Sequence, residues 1–130
     1  MIVVDASALL EVLLRTGDGA RIEARLFDAD ESLHAPHLLD IEIAQVLRRL
    51  AAAGEIFEDR GRAALADLSD LPVRRYPHDL LLPRIWTLRH NLTAYDAAYV
   101  ALAEALDAPL ITRDGRLAAA PGHGARVEVV

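Results

Sequence analysis

The chain has 130 residues, a formal net charge of −6 and no cysteine. That length suits one domain, spanning residues 1–130, with a core that needs no staples. The missing cysteines exclude disulfides, zinc–thiolate sites and thiol catalysis. All fourteen basic side chains are arginine, which excludes mechanisms that need a lysine, such as P-loop phosphate binding and Schiff-base chemistry. The acidic balance argues against broad affinity for nucleic acid, yet leaves room for a local arginine patch.

Ile2-Val3-Val4 is a β-branched run suited to a buried strand. Ala6 to Leu14 reads as a helix with Leu9, Leu10, Leu13 and Leu14 on one side, broken by Thr16-Gly17-Asp18-Gly19. Ala20 to Phe27 is a second short helix, and Ser32 to Ala35 a strand candidate. Pro36 is expected to open a long helix to Ala53, as proline does at a first turn, with Gly54 ending it. Ile56 to Leu71 is a helix closed by Pro72, and Val73 to Tyr76 a third strand. Asp79 to Arg89 is helical around Pro83, and Thr93 caps a helix from Ala94 to Leu106. Leu110 to Thr112 is a strand, Gly115 to Ala119 a short helix, and Val127 to Val130 a last strand. Strands alternating with helices imply an α/β fold, a mainly parallel sheet covered on both faces.

The opening residues carry Asp5 and Glu11 and lack a basic start, so they read as strand and helix, not a secretory leader. No apolar run approaches the roughly 18 residues of a membrane span. With no cysteine, a reducing cytoplasmic setting is expected. Hydrophobic residues make up 53% of the chain, which points to an apolar surface used in self-association or by a partner.

Four acids stand where chemistry is expected. Asp5 follows the first strand and Asp114 follows Leu110-Ile111-Thr112-Arg113. Sites in open parallel sheets form outside the carboxyl ends of strands. Each aspartate could also simply cap the helix after it. Asp96, three residues after Thr93, fits a capping box, but it also shares a stripe with Tyr99, Val100 and Ala103 and points toward the packed side. Glu42 and Asp40 flank the apolar stripe Leu39, Ile43, Val46 and Leu50 on opposite sides, and periodicity does not rank them.

Acids gathered together raise one another's pKa unless a cation joins them. For oxygen donors that cation is Mg²⁺ or Mn²⁺, and the matching chemistry is metal-assisted phosphodiester hydrolysis. Ser7 and Thr112 adjoin Asp5 and Asp114 and can hydrogen-bond a carboxylate. The five histidines have no zinc-ligand spacing. Arg15, Arg113 and Arg116 could hold a phosphodiester backbone or lie idle on the surface.

Four segments carry a family likeness. Ile2-Val3-Val4-Asp5-Ala6-Ser7-Ala8-Leu9, Pro36-His-Leu-Leu-Asp-Ile-Glu42, Leu92-Thr-Ala-Tyr-Asp96-Ala-Ala-Tyr-Val-Ala-Leu-Ala103 and Leu110-Ile-Thr112-Arg-Asp114-Gly-Arg-Leu together resemble PIN-domain proteins. They run in order through the whole chain. At this size the likeness is to VapC-type toxins, the ribonuclease halves of bacterial type II toxin–antitoxin pairs. The resemblance implies an α/β/α three-layer sandwich, a homodimer, RNA as substrate, and inhibition by a cognate antitoxin. It further implies Mg²⁺ or Mn²⁺ at Asp5, Glu42, Asp96 and Asp114. Among the catalytic residues, Thr112 matches the hydroxyl before the last acid, and the proline spacing selects Glu42. Gln45 departs from a frequent asparagine.

Other classes fit less well. A phospho-accepting receiver relies on a lysine, and a dehalogenase-type phosphatase wants D-x-D where this chain has Asp5-x-Ser7. The alternative within the same fold is a catalytically inactive dimeric binding module, which the complete set of acids argues against.

Overall fold

The computed structural model describes residues 1–130. Five strands form one sheet: β1 Ile2–Val4, β2 Leu33–Pro36, β3 Val73–Tyr76, β4 Leu110–Thr112 and β5 Val127–Val129. Their order is β3-β2-β1-β4-β5, and every pairing is parallel. The helices are α1 Ala6–Leu13, α2 Gly19–Leu26, α3 Leu38–Ala52, α4 Glu58–Asp70, α5 Leu82–Thr87, α6 Ala94–Leu106 and α7 Gly115–Ala119. A 3₁₀ turn at Asp79–Leu81 precedes α5.

Helices α1 to α4 pack on one another, with α1 and α3 touching the sheet, while α6 crosses β1, β2 and β4. Parallel strands covered on both faces must be apolar on both faces. Ile2, Val3 and Val4 are wholly buried, as are Leu110 and Ile111. α6 is buried almost throughout from Ala97 to Ala103, and its alanines let it lie close to the sheet.

The winding places the site. The chain leaves β1 for β2 and β3 on one side, then returns to lay β4 and β5 on the other. The crevice between the ends of β1 and β4 is therefore the switch point where such sheets hold ligands. Val4 pairs with Ile111, so Asp5 and Thr112 emerge side by side.

The structure corrects three expectations. Pro36 closes β2 instead of opening the long helix, which starts at Leu38. The His37 N–H binds the Tyr76 carbonyl and extends the strand pairing instead. The segment after Asp79 divides into the 3₁₀ turn and α5, with Pro83 in the first turn of α5. The face of α3 against the core is Leu39, Ile43 and Leu47; Val46 turns away from it.

Candidate active site

Asp5 ends β1 and caps α1, and it is 8% exposed. Its Oδ2 accepts a 2.5 Å bond from Thr112 Oγ1, and its Oδ1 accepts bonds from Ser7 Oγ at 2.7 Å and the Ala8 N–H at 3.1 Å. The direction of both hydroxyls is forced. Thr112 Oγ1 receives the Asp114 N–H and Ser7 Oγ the Arg113 N–H, each at 2.9 Å. Each hydroxyl proton is thus left for Asp5. Burial pushes the Asp5 carboxyl up from its ordinary pKa, the three hydrogen bonds pull it back, and the charge of Asp96 adds to the rise.

Glu42 flanks the buried face of α3 formed by Leu39, Ile43 and Leu47, and lines the cavity. Tyr99 of α6, 2% exposed, donates its hydroxyl to Glu42 Oε1 at 2.6 Å. Glu42 Oε2 has no hydrogen bond. Burial raises the Glu42 pKa; the Tyr99 bond offsets part of the rise, while Asp5 and Asp96 increase it. Asp40 points elsewhere: Arg75 of β3 grips it through Nε at 2.8 Å and Nη2 at 2.9 Å. The two acids that periodicity left unranked are thereby told apart.

Asp96 forms half a capping box. Its N–H donates to Thr93 Oγ1 at 3.2 Å, but its carboxylate makes no hydrogen bond and faces the cavity. Asp114 caps α7 by accepting the Arg116 N–H at 2.9 Å. The Arg116 guanidinium also grips it, with Nη2 2.6 Å from Oδ2, and this holds the carboxyl below its ordinary range. All four acids line one cavity of about 650 Å³. No three of them close on a common point at ligating spacing, and Asp114 is turned onto Arg116.

The arginines sort themselves. Arg113 is a tie: it reaches the Val130 carbonyl at 2.9 Å and Asp18 at 3.0 Å, beside Glu11. Arg15 lies in a separate cleft with Glu23 and Asp67. Arg116 is at the cavity but paired. Sequence reasoning missed Arg49, which lines the cavity and makes no hydrogen bond or ion pair. It also missed Tyr99, although the spacing of three residues from Asp96 on one helix was the available signal. No histidine lines the cavity.

A parallel sheet with a carboxylate-lined crevice at its switch point is the architecture of the PIN domain, and the PIN domain family profile matches residues 2–122. Ribonuclease VapC1 of Mycobacterium tuberculosis is 49% identical over 129 residues, covering 98% of this chain and 96% of that protein. Among solved structures, PAE2754 from Pyrobaculum aerophilum superposes with a TM-score of 0.71 at 27% identity, over 98% of this chain and 83% of its own. The structure of VapBC2 from Rickettsia felis bound to a DNA fragment from its promoter shares the fold, with a TM-score of 0.72 at 12% identity over 99% and 98%. The chain belongs to the PIN-domain family, among its VapC ribonucleases.

Proposed function

We infer that this protein is an endoribonuclease, the toxin of a type II toxin–antitoxin pair, that hydrolyses an RNA phosphodiester in the acid cavity with a divalent cation. One observation carries the reading: Asp5, Glu42, Asp96 and Asp114, separated by up to 109 positions in sequence, line a single cavity at the switch point.

The donor chemistry fits Mg²⁺ or Mn²⁺, since every candidate ligand is a carboxylate oxygen. The pKa values of Asp5 and Glu42 are raised chiefly by burial, with the charge of Asp96 a smaller cause, and a bound cation would offset both. Asp5, Glu42, Asp96 and Asp114 would hold the ion, Asp114 after release from Arg116. When bound, such an ion supplies positive charge that acidifies water and offsets charge building on the phosphate.

The chain's own groups do the rest. Thr112 and Ser7 fix both oxygens of Asp5, so the carboxylate need not reorganise during reaction. Tyr99 holds Glu42 Oε1 and leaves Oε2 without a partner. With its raised pKa, that oxygen is suited to orient the attacking water and take its proton.

The partner follows from the family: an antitoxin that covers this cavity would silence it. Self-association has a candidate surface in Leu82 and Trp86, four residues apart on α5 and 56% and 68% exposed. No helix is long and apolar enough to cross a membrane.

The test is cleavage of RNA by purified protein with Mn²⁺, with EDTA, and with Asp96→Asn. Asparagine is nearly isosteric and keeps the Thr93 cap, so the variant folds. Cleavage is expected only from the wild type with metal. Equal cleavage by Asp96→Asn, or in EDTA, would overturn the assignment.

A further inference from the structure

The cavity has two arginines on its wall, and they differ in what holds them. Arg116 is committed to Asp114 at 2.6 Å. Arg49 has no partner. It lies seven residues beyond Glu42 on α3, so it is about 20° from Glu42 around the helix and about 10 Å farther along it. A single-stranded RNA backbone covers that distance within a couple of nucleotides. Gln45 and Val46 fill the turn between them on the same wall.

Across the cavity stands Tyr95, in the first turn of α6 next to Asp96 and 63% exposed. It makes no hydrogen bond. Exposure of an aromatic ring costs free energy, and this ring opens onto the same cavity as four acids and an unpaired guanidinium. A chain with net charge −6 has little general attraction for RNA. It must hold substrate through a few placed contacts. A free cation and a free aromatic face are the two groups that grip single-stranded RNA without reading its sequence.

We propose that Arg49 and Tyr95 form the substrate-holding rim of this site. Arg49 binds a phosphate next to the one being cleaved, and Tyr95 stacks on a neighbouring base. This rests on the ribonuclease reading above. Both side chains position substrate and take no part in the bond-breaking step.

Binding of a short, labelled single-stranded RNA is measured by anisotropy across a salt series, with Mg²⁺ present, in the Asp96→Asn protein so that substrate survives. Adding Arg49→Gln should weaken binding and lower the slope of log K against log salt by about 0.7, the loss of one phosphate contact on a single strand. Arg49→Lys should keep most of the slope. Arg48→Gln, which removes an exposed arginine that does not line the cavity, should leave the slope unchanged. Tyr95→Ala should lose roughly tenfold in affinity and Tyr95→Phe little.

Equal slopes for Arg49→Gln and its parent, or equal losses for Arg48→Gln and Arg49→Gln, overturn the phosphate contact. Full affinity in Tyr95→Ala overturns the stacking. If Arg49→Gln leaves RNA binding intact and instead weakens neutralisation by the antitoxin, the rim belongs to a protein partner and the proposal fails. Wild-type protein that cleaves RNA while these variants bind normally sinks only this inference. A wild type that neither binds nor cleaves RNA sinks the ribonuclease reading with it.

Discussion

Thr112 Oγ1 donates a 2.5 Å hydrogen bond to Asp5 Oδ2 and at the same time receives the Asp114 N–H at 2.9 Å. One hydroxyl thus joins the ends of β1 and β4 and sets the positions of the first and last acids. Thr112 is wholly buried, so its hydroxyl has only protein partners.

Thr112→Val is nearly isosteric and removes that hydroxyl. It leaves the Asp114 N–H and one oxygen of Asp5 short of a partner, which costs about 1–3 kcal/mol. It also removes a bond that favours the ionised form of Asp5, so the Asp5 pKa rises further. Denaturant unfolding and metal affinity both read this. Thr112→Ser should restore most of each, and unchanged stability in Thr112→Val would show that the hydroxyl bonds are dispensable.

Glu42 and Asp40 should separate cleanly. Glu42→Gln keeps an oxygen for the Tyr99 hydroxyl but removes a charge from the cavity. It should lose most cleavage and bind Mn²⁺ more weakly, with the fold intact. Asp40→Asn breaks the grip of Arg75 and should cost about 0.5–1 kcal/mol of stability, as partly exposed pairs do, with cleavage unchanged. Single-turnover cleavage and melting of both variants decide it; an inactive Asp40→Asn protein of normal stability would reverse the assignment.

Stability of the metal-free protein should respond to pH through Glu42. Its folded-state pKa is raised, chiefly by burial. The native state therefore holds the Glu42 proton more tightly than the unfolded chain. The stability this contributes is complete below the ordinary carboxylate pKa and is lost as pH rises through the raised value. Glu42→Gln escapes that loss. In EDTA it should melt above the wild type at neutral pH, and the gap should close on acidification through the raised pKa. A gap that is constant with pH would contradict the raised value.

Metal should stabilise the fold, by about 2.7 kcal/mol at a hundredfold excess over Kd. Arg116 competes for Asp114, so Arg116→Gln should bind Mn²⁺ more tightly than the wild type. The Arg116 side of the pair is 86% exposed, and solvent screening keeps that gain modest. Calorimetric titration with Mn²⁺ checks it, and weaker binding by Arg116→Gln would make the arginine a support of the metal site and not its rival.

Much of this molecule was written locally. Strands and helices alternate in the order that periodicity and turn residues dictate, because burial on two faces demands continuous apolar runs such as Ile2-Val3-Val4. Asp5 and Asp114 were legible because each sits where a strand gives way to a helix, a position fixed by chain order alone. The four segments that resemble PIN-domain proteins also supplied Glu42, through its distance from Pro36, although that proline ends a strand and does not begin the helix.

What the tertiary structure decided depends on contacts between distant parts of the chain. The rotation of α3 about its axis was one such matter. Leu39, Ile43 and Leu47 bury against the sheet, and this turns Glu42 to Tyr99, fifty-seven residues away, and Asp40 to Arg75. Local periodicity assigned Val46 to the apolar stripe where the structure buries Leu47, because adjacent residues straddle the edge of such a stripe. Likewise, nothing near Arg49 or Arg113 in sequence tells which is free. The partners of Arg113 lie far along the chain, Arg116 takes Asp114 two residues before it, and Arg49 makes no hydrogen bond or ion pair. The order of the strands made these meetings possible: with β4 laid beside β1, acids 109 residues apart in sequence share one cavity.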